Sequence, residues 1–146
     1  MKQQEVYIVA GFRSAVGKAP RGLFRFYRAD DLGADVVYLT GRDEPGMGKG
    51  TRDRLLHDGF PWDVPRTHLL LKPNSNVPDL EHKLGAGEYI RKHGTLVASF
   101  ENEPANLSAL YGAVPEAMHV YVDTVSSDHQ AVPRQGLYRI SGFGVE

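Results

Sequence analysis

The stretch Val-Val-Tyr-Leu-Thr-Gly-Arg-Asp at positions 36–43 decides the fold class, because an unbroken apolar run is followed at once by polar residues. A short apolar run without alternation is typical of a strand that is covered on both faces, as in a parallel sheet. Further runs predict strands at residues 6–10, 68–71, 95–100, 118–122 and, more briefly, 137–140.

Helical patterns lie between these strands. Three helices are predicted, over residues 51–58, from Asp79 as a capping residue to Gly94, and over residues 104–111. Alternating strands and helices are the pattern of right-handed crossovers in a doubly wound sheet. We therefore predict an α/β protein with a three-layer, Rossmann-like parallel sheet.

Composition excludes several classes of protein. The 146 residues match the usual size of one domain, and 17 basic side chains stand against 18 acidic ones, which disfavours a nucleic-acid partner. No apolar run approaches the roughly 18 to 20 residues that cross a bilayer, and no signal-peptide pattern is present. Cysteine is absent, which excludes disulfides and thiolate chemistry. We expect a cytoplasmic protein without a membrane partner.

Polar residues follow two of the predicted strands, at the edge where open α/β sheets bind ligands. Thr40 and its neighbours end the second strand, Glu101 and Glu103 end the fourth, and Lys83 lies in the helix that leads into the fourth. A hydroxyl and an ammonium group hold phosphate oxygens, and carboxylates hold a divalent cation. Together these side chains indicate phosphoryl-transfer chemistry.

Each of these residues also has a purely structural interpretation. Thr40 can cap a turn, Lys83 can be an exposed helix residue, and Glu103 can favour a helix N-terminus through the macrodipole. Their combination, in this order and spacing, favours the functional interpretation.

Four segments carry a resemblance to a known family: residues 36–43, Leu-Leu-Leu-Lys-Pro at 69–73, Asp-Leu-Glu-His-Lys at 79–83 and Ser-Phe-Glu-Asn-Glu-Pro-Ala-Asn-Leu at 99–107. With these segments, residues 36–143 resemble the C-terminal part of a haloacid dehalogenase (HAD) superfamily hydrolase, a fold of many magnesium-dependent phosphatases. The resemblance implies an incomplete HAD-type sheet and no cap domain. By this resemblance Thr40, with Gly41 and Arg42, would bind phosphate. Lys83 would be the lysine that offsets the charge of the phosphoryl group, and Lys72 is the rival for that role.

The resemblance also implies Mg²⁺ bound by Glu101 or Glu103, where most of the family uses aspartates. The family's first motif is a strand that ends in Asp-x-Asp, in which the first aspartate is the nucleophile and the second the general acid/base. Here the strand at residues 6–10 leads into Gly11-Phe12-Arg13, so that Gly11 and Arg13 stand at the positions of the two aspartates. The nucleophile is therefore missing from the expected place.

The N-terminal segment has a separate resemblance. Residues 6–25, continuing through residues 28–32, are similar to the opening of a thiolase (acetyl-CoA acyltransferase), in which this segment forms the first strand and a loop. Thiolase chemistry needs two cysteines, which this chain lacks. The simplest interpretation is a chimera, with a thiolase-like segment at residues 1–35 and a HAD-like core at residues 36–146 that together form one domain.

Two functions remain open from the sequence. The first is a HAD-type phosphohydrolase-like domain that binds inorganic phosphate or a phosphorylated small molecule with little or no turnover. The alternative is a non-catalytic, thiolase-derived module in which the basic residues between Arg13 and Arg25 bind coenzyme A, or which binds a protein partner. If residues 6–10 did not fill the centre of the sheet, a second chain would, and the protein would be a homodimer.

Other motifs are weaker. Gly-Met-Gly-Lys-Gly-Thr at positions 46–51 departs from a P-loop at two required positions, and a flexible loop leading into a helix is predicted there. The six histidines lack the spacing of zinc ligands. Asp123, at the end of the fifth strand, is expected either to line the predicted phosphate-binding pocket or to cap the next turn.

Overall fold

A computed structural model describes residues 6–11, 34–123 and 137–141 of the chain. The strands are β1 (Val6–Gly11), β2 (Ala34–Asp43), β3 (Thr67–Lys72), β4 (Thr95–Glu101), β5 (Met118–Val122) and β6 (Leu137–Ile140). The helices are α1 (Glu44–His57), α2 (Asp79–His93) and α3 (Pro104–Ala113).

The strands form one parallel sheet with the order β3-β2-β1-β4-β5-β6. This confirms the predicted α/β class with a parallel sheet. β1 lies between β2 and β4, so that the strand of the N-terminal segment occupies the centre of the sheet. In the described part of the chain the sheet is open, with β3 and β6 at its edges.

Helices pack on both faces of the sheet. Alternate residues of a strand point to opposite faces, and β2 uses both. Val37 and Leu39 share an apolar cluster with Ile90 of α2, whereas Tyr38 shares a second cluster with Leu55 of α1. Leu39 and Ile90 are nearly inaccessible, and complete burial of such a side chain contributes about 1.5–3 kcal/mol to the free energy of unfolding.

The strand order explains which helix lies on which face. The sheet grows from β1 to β3 in one direction and from β4 to β6 in the other. Because crossovers between parallel strands are right-handed, this reversal places α2 and α3 on the face opposite to α1. The reversal also opens a crevice at the carboxyl ends of the central strands, where ligands bind in such sheets.

α1 begins at Glu44, well before the predicted start at Thr51. Asp43 caps the helix, because its Oδ2 atom accepts the N–H of Gly46 at 2.8 Å, and Pro45 stands in the first turn where its missing N–H costs nothing. The prediction of a flexible loop over residues 46–50 is therefore wrong. The helix ends before Gly59, whose φ of 77° favours glycine.

Part of the N-terminal segment falls outside the described residues. This applies to Arg13 and to the other basic residues of the proposed coenzyme A loop. Within the described segments, no helix has both the length and the apolar character needed to cross a membrane.

Candidate functional site

A buried ion pair at the carboxyl end of β4 joins two of the predicted site residues. Lys83 Nζ donates to Glu101 Oε2 at 2.5 Å, and both side chains are almost inaccessible. Glu101 Oε1 accepts the backbone N–H groups of Asn102 at 2.9 Å and Glu103 at 3.1 Å. Hydrogen bonds to both oxygens offset the cost of removing this carboxylate from water. The interpretation of Lys83 as an exposed helix residue is thus wrong.

A β-bulge in β4 directs Glu101 towards α2. The register against β1 shifts between Leu96 and Ala98, so that Val97 is an extra residue. Leu96 packs into the cluster on the α2 face, and in a regular strand Glu101, an odd number of residues away, would point to the other face. The bulge reverses the alternation and brings Glu101 to Lys83.

The end of β2 carries the residues expected to bind phosphate. Thr40 is buried, and its Oγ1 atom accepts the backbone N–H of Arg42 at 3.3 Å. The hydroxyl proton of Thr40 is not used in that bond, so it can be donated to a ligand. The Arg42 guanidinium contacts a neutral group, the Thr51 hydroxyl, at 3.3 Å. Thr40 thus holds the irregular end of β2, where the register against β3 shifts, and keeps a donor for a ligand.

Lys72, the rival lysine, ends β3 and has a different partner. Its Nζ atom donates to Asp79 Oδ1 at 2.9 Å. The Asp79 carboxylate lies directly against Gly41, because a Cβ atom at Gly41 would be 2.7 Å from Asp79 Cγ. Asp79 was expected to cap α2, but it is the first helical residue. Pro78 occupies the N-cap position without a side-chain hydrogen bond.

His82 lies near both lysines. Its Nε2 atom is 3.3 Å from the carbonyl oxygen of Leu70. Burial lowers the pKa of His82; the Leu70 carbonyl raises it, Lys72 and Lys83 lower it further, and Asp79 raises it. His82 is therefore a third titratable group in the part of α2 that carries Asp79 and Lys83.

The end of β1 separates the β2 residues from the Lys83–Glu101 pair. β2 pairs with β1 as far as Leu39, opposite Gly11, and β4 pairs with β1 as far as Phe100. Thr40 and Glu101 are the next residues of their strands, so they flank the point at which the chain leaves β1. At that point Gly11 offers no side chain.

The residues present do not fit a Mg²⁺ site in this arrangement. Glu101 already binds Lys83 and two backbone N–H groups, and a cation would have to displace the ammonium group. Across residues 34–123 and the shorter described segments, no group of three or more His, Cys, Asp or Glu side chains could hold a metal ion. The prediction that Glu101 and Glu103 bind Mg²⁺ therefore rests on the resemblance alone.

Sequence reasoning missed Asp79 and His82 as members of the site. Both lie in the quoted segment at residues 79–83, and the signal was available. A helix that follows a parallel strand begins at the edge where the strand ends, so its first turn adjoins the ligand crevice. The carboxylate of Asp123 accepts a hydrogen bond from Arg139 Nε of β6 at 3.1 Å, and the turn that it was expected to cap lies outside the described residues.

Comparison of the chain with protein-family models, with curated proteins and with solved structures finds no match.

Proposed function

We propose that the carboxyl edge of the sheet binds inorganic phosphate or a phosphorylated small molecule, as a HAD-type hydrolase without its nucleophile would. The buried Lys83–Glu101 pair beside the end of β1 carries this proposal. In the family that the sequence resembles, a lysine offsets charge at the nucleophile and the phosphoryl group. Lys83 contacts Glu101, one of the two acids that the resemblance assigns to the metal, whereas Lys72 contacts Asp79, and this difference favours Lys83 for the role.

Several donors support binding of an anion at this edge. The Thr40 hydroxyl and the Arg42 guanidinium lie on one side of β1, and the first turns of α2 and α3 begin on the same edge. Neither helix has a side-chain hydrogen bond at its N-cap. Uncapped N–H groups and the positive end of the helix macrodipole both favour a negative ligand.

We further propose that hydrolysis is slow or absent. Gly11 ends β1 and has no side chain that could attack phosphorus. Loss of a covalent nucleophile leaves only positioning and electrostatic stabilisation, and the rate falls by several orders of magnitude. Binding without efficient turnover is the behaviour that this combination of residues supports.

Thermal unfolding of the full chain with increasing inorganic phosphate tests the proposal. A ligand that binds only the folded state raises the free energy of unfolding by about 2.7 kcal/mol at a hundredfold excess over Kd. We expect the Tm to rise with phosphate and the rise to shrink in Thr40→Val and in the double variant Lys83→Met/Glu101→Gln. The control is Lys49→Met/Asp53→Asn, which removes an exposed ion pair of α1.

The outcomes separate the two functions. No rise with phosphate, or an equal rise in the site variants, would contradict the proposal. A rise with coenzyme A but not with phosphate would favour the thiolase-derived module instead. Mg²⁺ is added in a separate series, and hydrolysis of p-nitrophenyl phosphate that is lost in Lys83→Met/Glu101→Gln would contradict the claim of low turnover.

A further inference from the structure

Lys72 is a buried ammonium group whose counter-charge comes from a half-exposed side chain. The Lys72 side chain is 10% exposed, and that of Asp79 is 48% exposed. A buried charge that loses its partner destabilises the fold strongly, so an anion must remain beside Lys72. Asp79 supplies that anion at present, across 2.9 Å.

The Asp79 side chain can rotate away from Lys72 at little cost. Among the described residues its carboxylate is hydrogen-bonded to Lys72 alone. Because Asp79 is the first residue of α2 and does not cap it, rotation of its side chain into solvent breaks no helical hydrogen bond. The lysine, at the buried end of β3, has no comparable freedom.

The space that Asp79 fills adjoins the segment expected to bind phosphate. Its carboxylate lies against Gly41, at a distance that a side chain on residue 41 would not permit. Thr40 and Arg42 are the flanking residues. A carboxylate and a phosphate are both oxyanions that accept strong hydrogen bonds from an ammonium group, so one can replace the other.

We infer that Lys72 and the backbone at Gly41 form a subsite for an oxyanion. The Asp79 carboxylate occupies this subsite in the free protein, and phosphate or a phosphate monoester binds there by displacing it. This inference rests on the proposed function and adds that the Asp79 carboxylate competes with phosphate for Lys72. The ligand takes over the charge of Asp79 at Lys72 while the Asp79 side chain turns to solvent.

The test is a calorimetric titration of the full chain with inorganic phosphate, comparing wild type with Asp79→Asn. If Asp79 fills the subsite about nine-tenths of the time, its removal lowers the apparent Kd about tenfold. The matched control is Asp53→Asn, which neutralises an exposed aspartate paired with Lys49. We expect its Kd to equal that of wild type. In a Lys72→Met background, Asp79→Asn should give no gain.

A second variant covers the case in which Asp79→Asn folds poorly. Asp79→Glu keeps the negative charge of residue 79, but its longer side chain cannot lie against Gly41 in the same way, so it too should lower the apparent Kd. If wild type binds phosphate and neither variant binds it more tightly, the inference is wrong while the proposed function stands. If phosphate binds neither wild type nor the variants, the proposed function fails and the inference fails with it.

Discussion

Lys83 and Glu101, which are 18 residues apart in the sequence, meet in a buried ion pair with 2.5 Å between Nζ and Oε2. The pair fixes the N-terminal half of α2 to the end of β4. It also joins two motifs that the sequence could only place on one edge of the sheet. We expect the stability of the domain and its proposed binding of phosphate to depend on this pair.

Removal of the lysine alone should destabilise the domain strongly. Lys83→Met leaves the Glu101 carboxylate buried without its counter-charge, and we expect the free energy of unfolding to fall by about 3–5 kcal/mol. Urea unfolding measures this change. The double variant Lys83→Met/Glu101→Gln should recover most of the loss, because no buried charge remains. A loss below about 1 kcal/mol in the single variant, the range of exposed pairs, would contradict the burial of this pair.

His82 should make the domain less stable in mild acid. Burial lowers its pKa in the folded state below the ordinary value of 6.5. Below that ordinary value the unfolded chain takes up a proton that folded His82 resists, so the free energy of unfolding falls as the pH drops towards the folded pKa and then levels off. We expect His82→Gln to reduce this fall. Urea unfolding from pH 8 to pH 5 measures it, and an identical profile in the variant would refute the assignment.

The hydroxyl of Tyr38 should contribute measurably to stability. It donates to the carbonyl oxygen of Pro61 at 2.9 Å, and burial raises the pKa of Tyr38, which keeps the phenol protonated. Tyr38→Phe retains the ring and removes the donor, so we expect a loss of about 1 kcal/mol in urea unfolding. The exposed Tyr138 provides the control, since Tyr138→Phe should change stability by less than about 0.5 kcal/mol.

The Asp43 cap of α1 should contribute a similar amount to the free energy of unfolding. Asp43→Ala removes the acceptor for the N–H of Gly46, and we expect a loss of about 1 kcal/mol. Asp43→Asn keeps a side-chain acceptor and should lose much less. Equal losses in both variants would show that the charge of Asp43, and not its capping bond, stabilises this helix.

The regular elements could largely be predicted from apolar patterns. The strands predicted at residues 118–122 and 137–140 have the observed bounds, because short apolar runs between turn residues leave few alternatives. The start of α1 could not be predicted, because Gly46, Gly48 and Gly50 give the first half of this helix a low helix propensity. A cap and packing of Leu55 against the sheet override that preference.

The details of the site depend on features that a pattern does not contain. The sequence predicted that Lys83 and Glu101 would lie on one edge of the sheet. Their contact also requires the bulge at Val97, which the residues of β4 do not predict. The pairing of Lys72 with Asp79 likewise depends on the close approach of α2 to Gly41. Strand ends could therefore be predicted, whereas the partner of each charge could not.

A titration of ¹⁵N-labelled protein with inorganic phosphate, followed by backbone amide shifts, tests directly whether phosphate binds at the carboxyl edge of the sheet. We expect the largest shifts at residues 40–42, at Lys72 and in the first turn of α2, with little change at the opposite edge around Met118 and Tyr138. Shifts that are absent at saturating phosphate, or that concentrate at that opposite edge, would show that phosphate does not bind at this site.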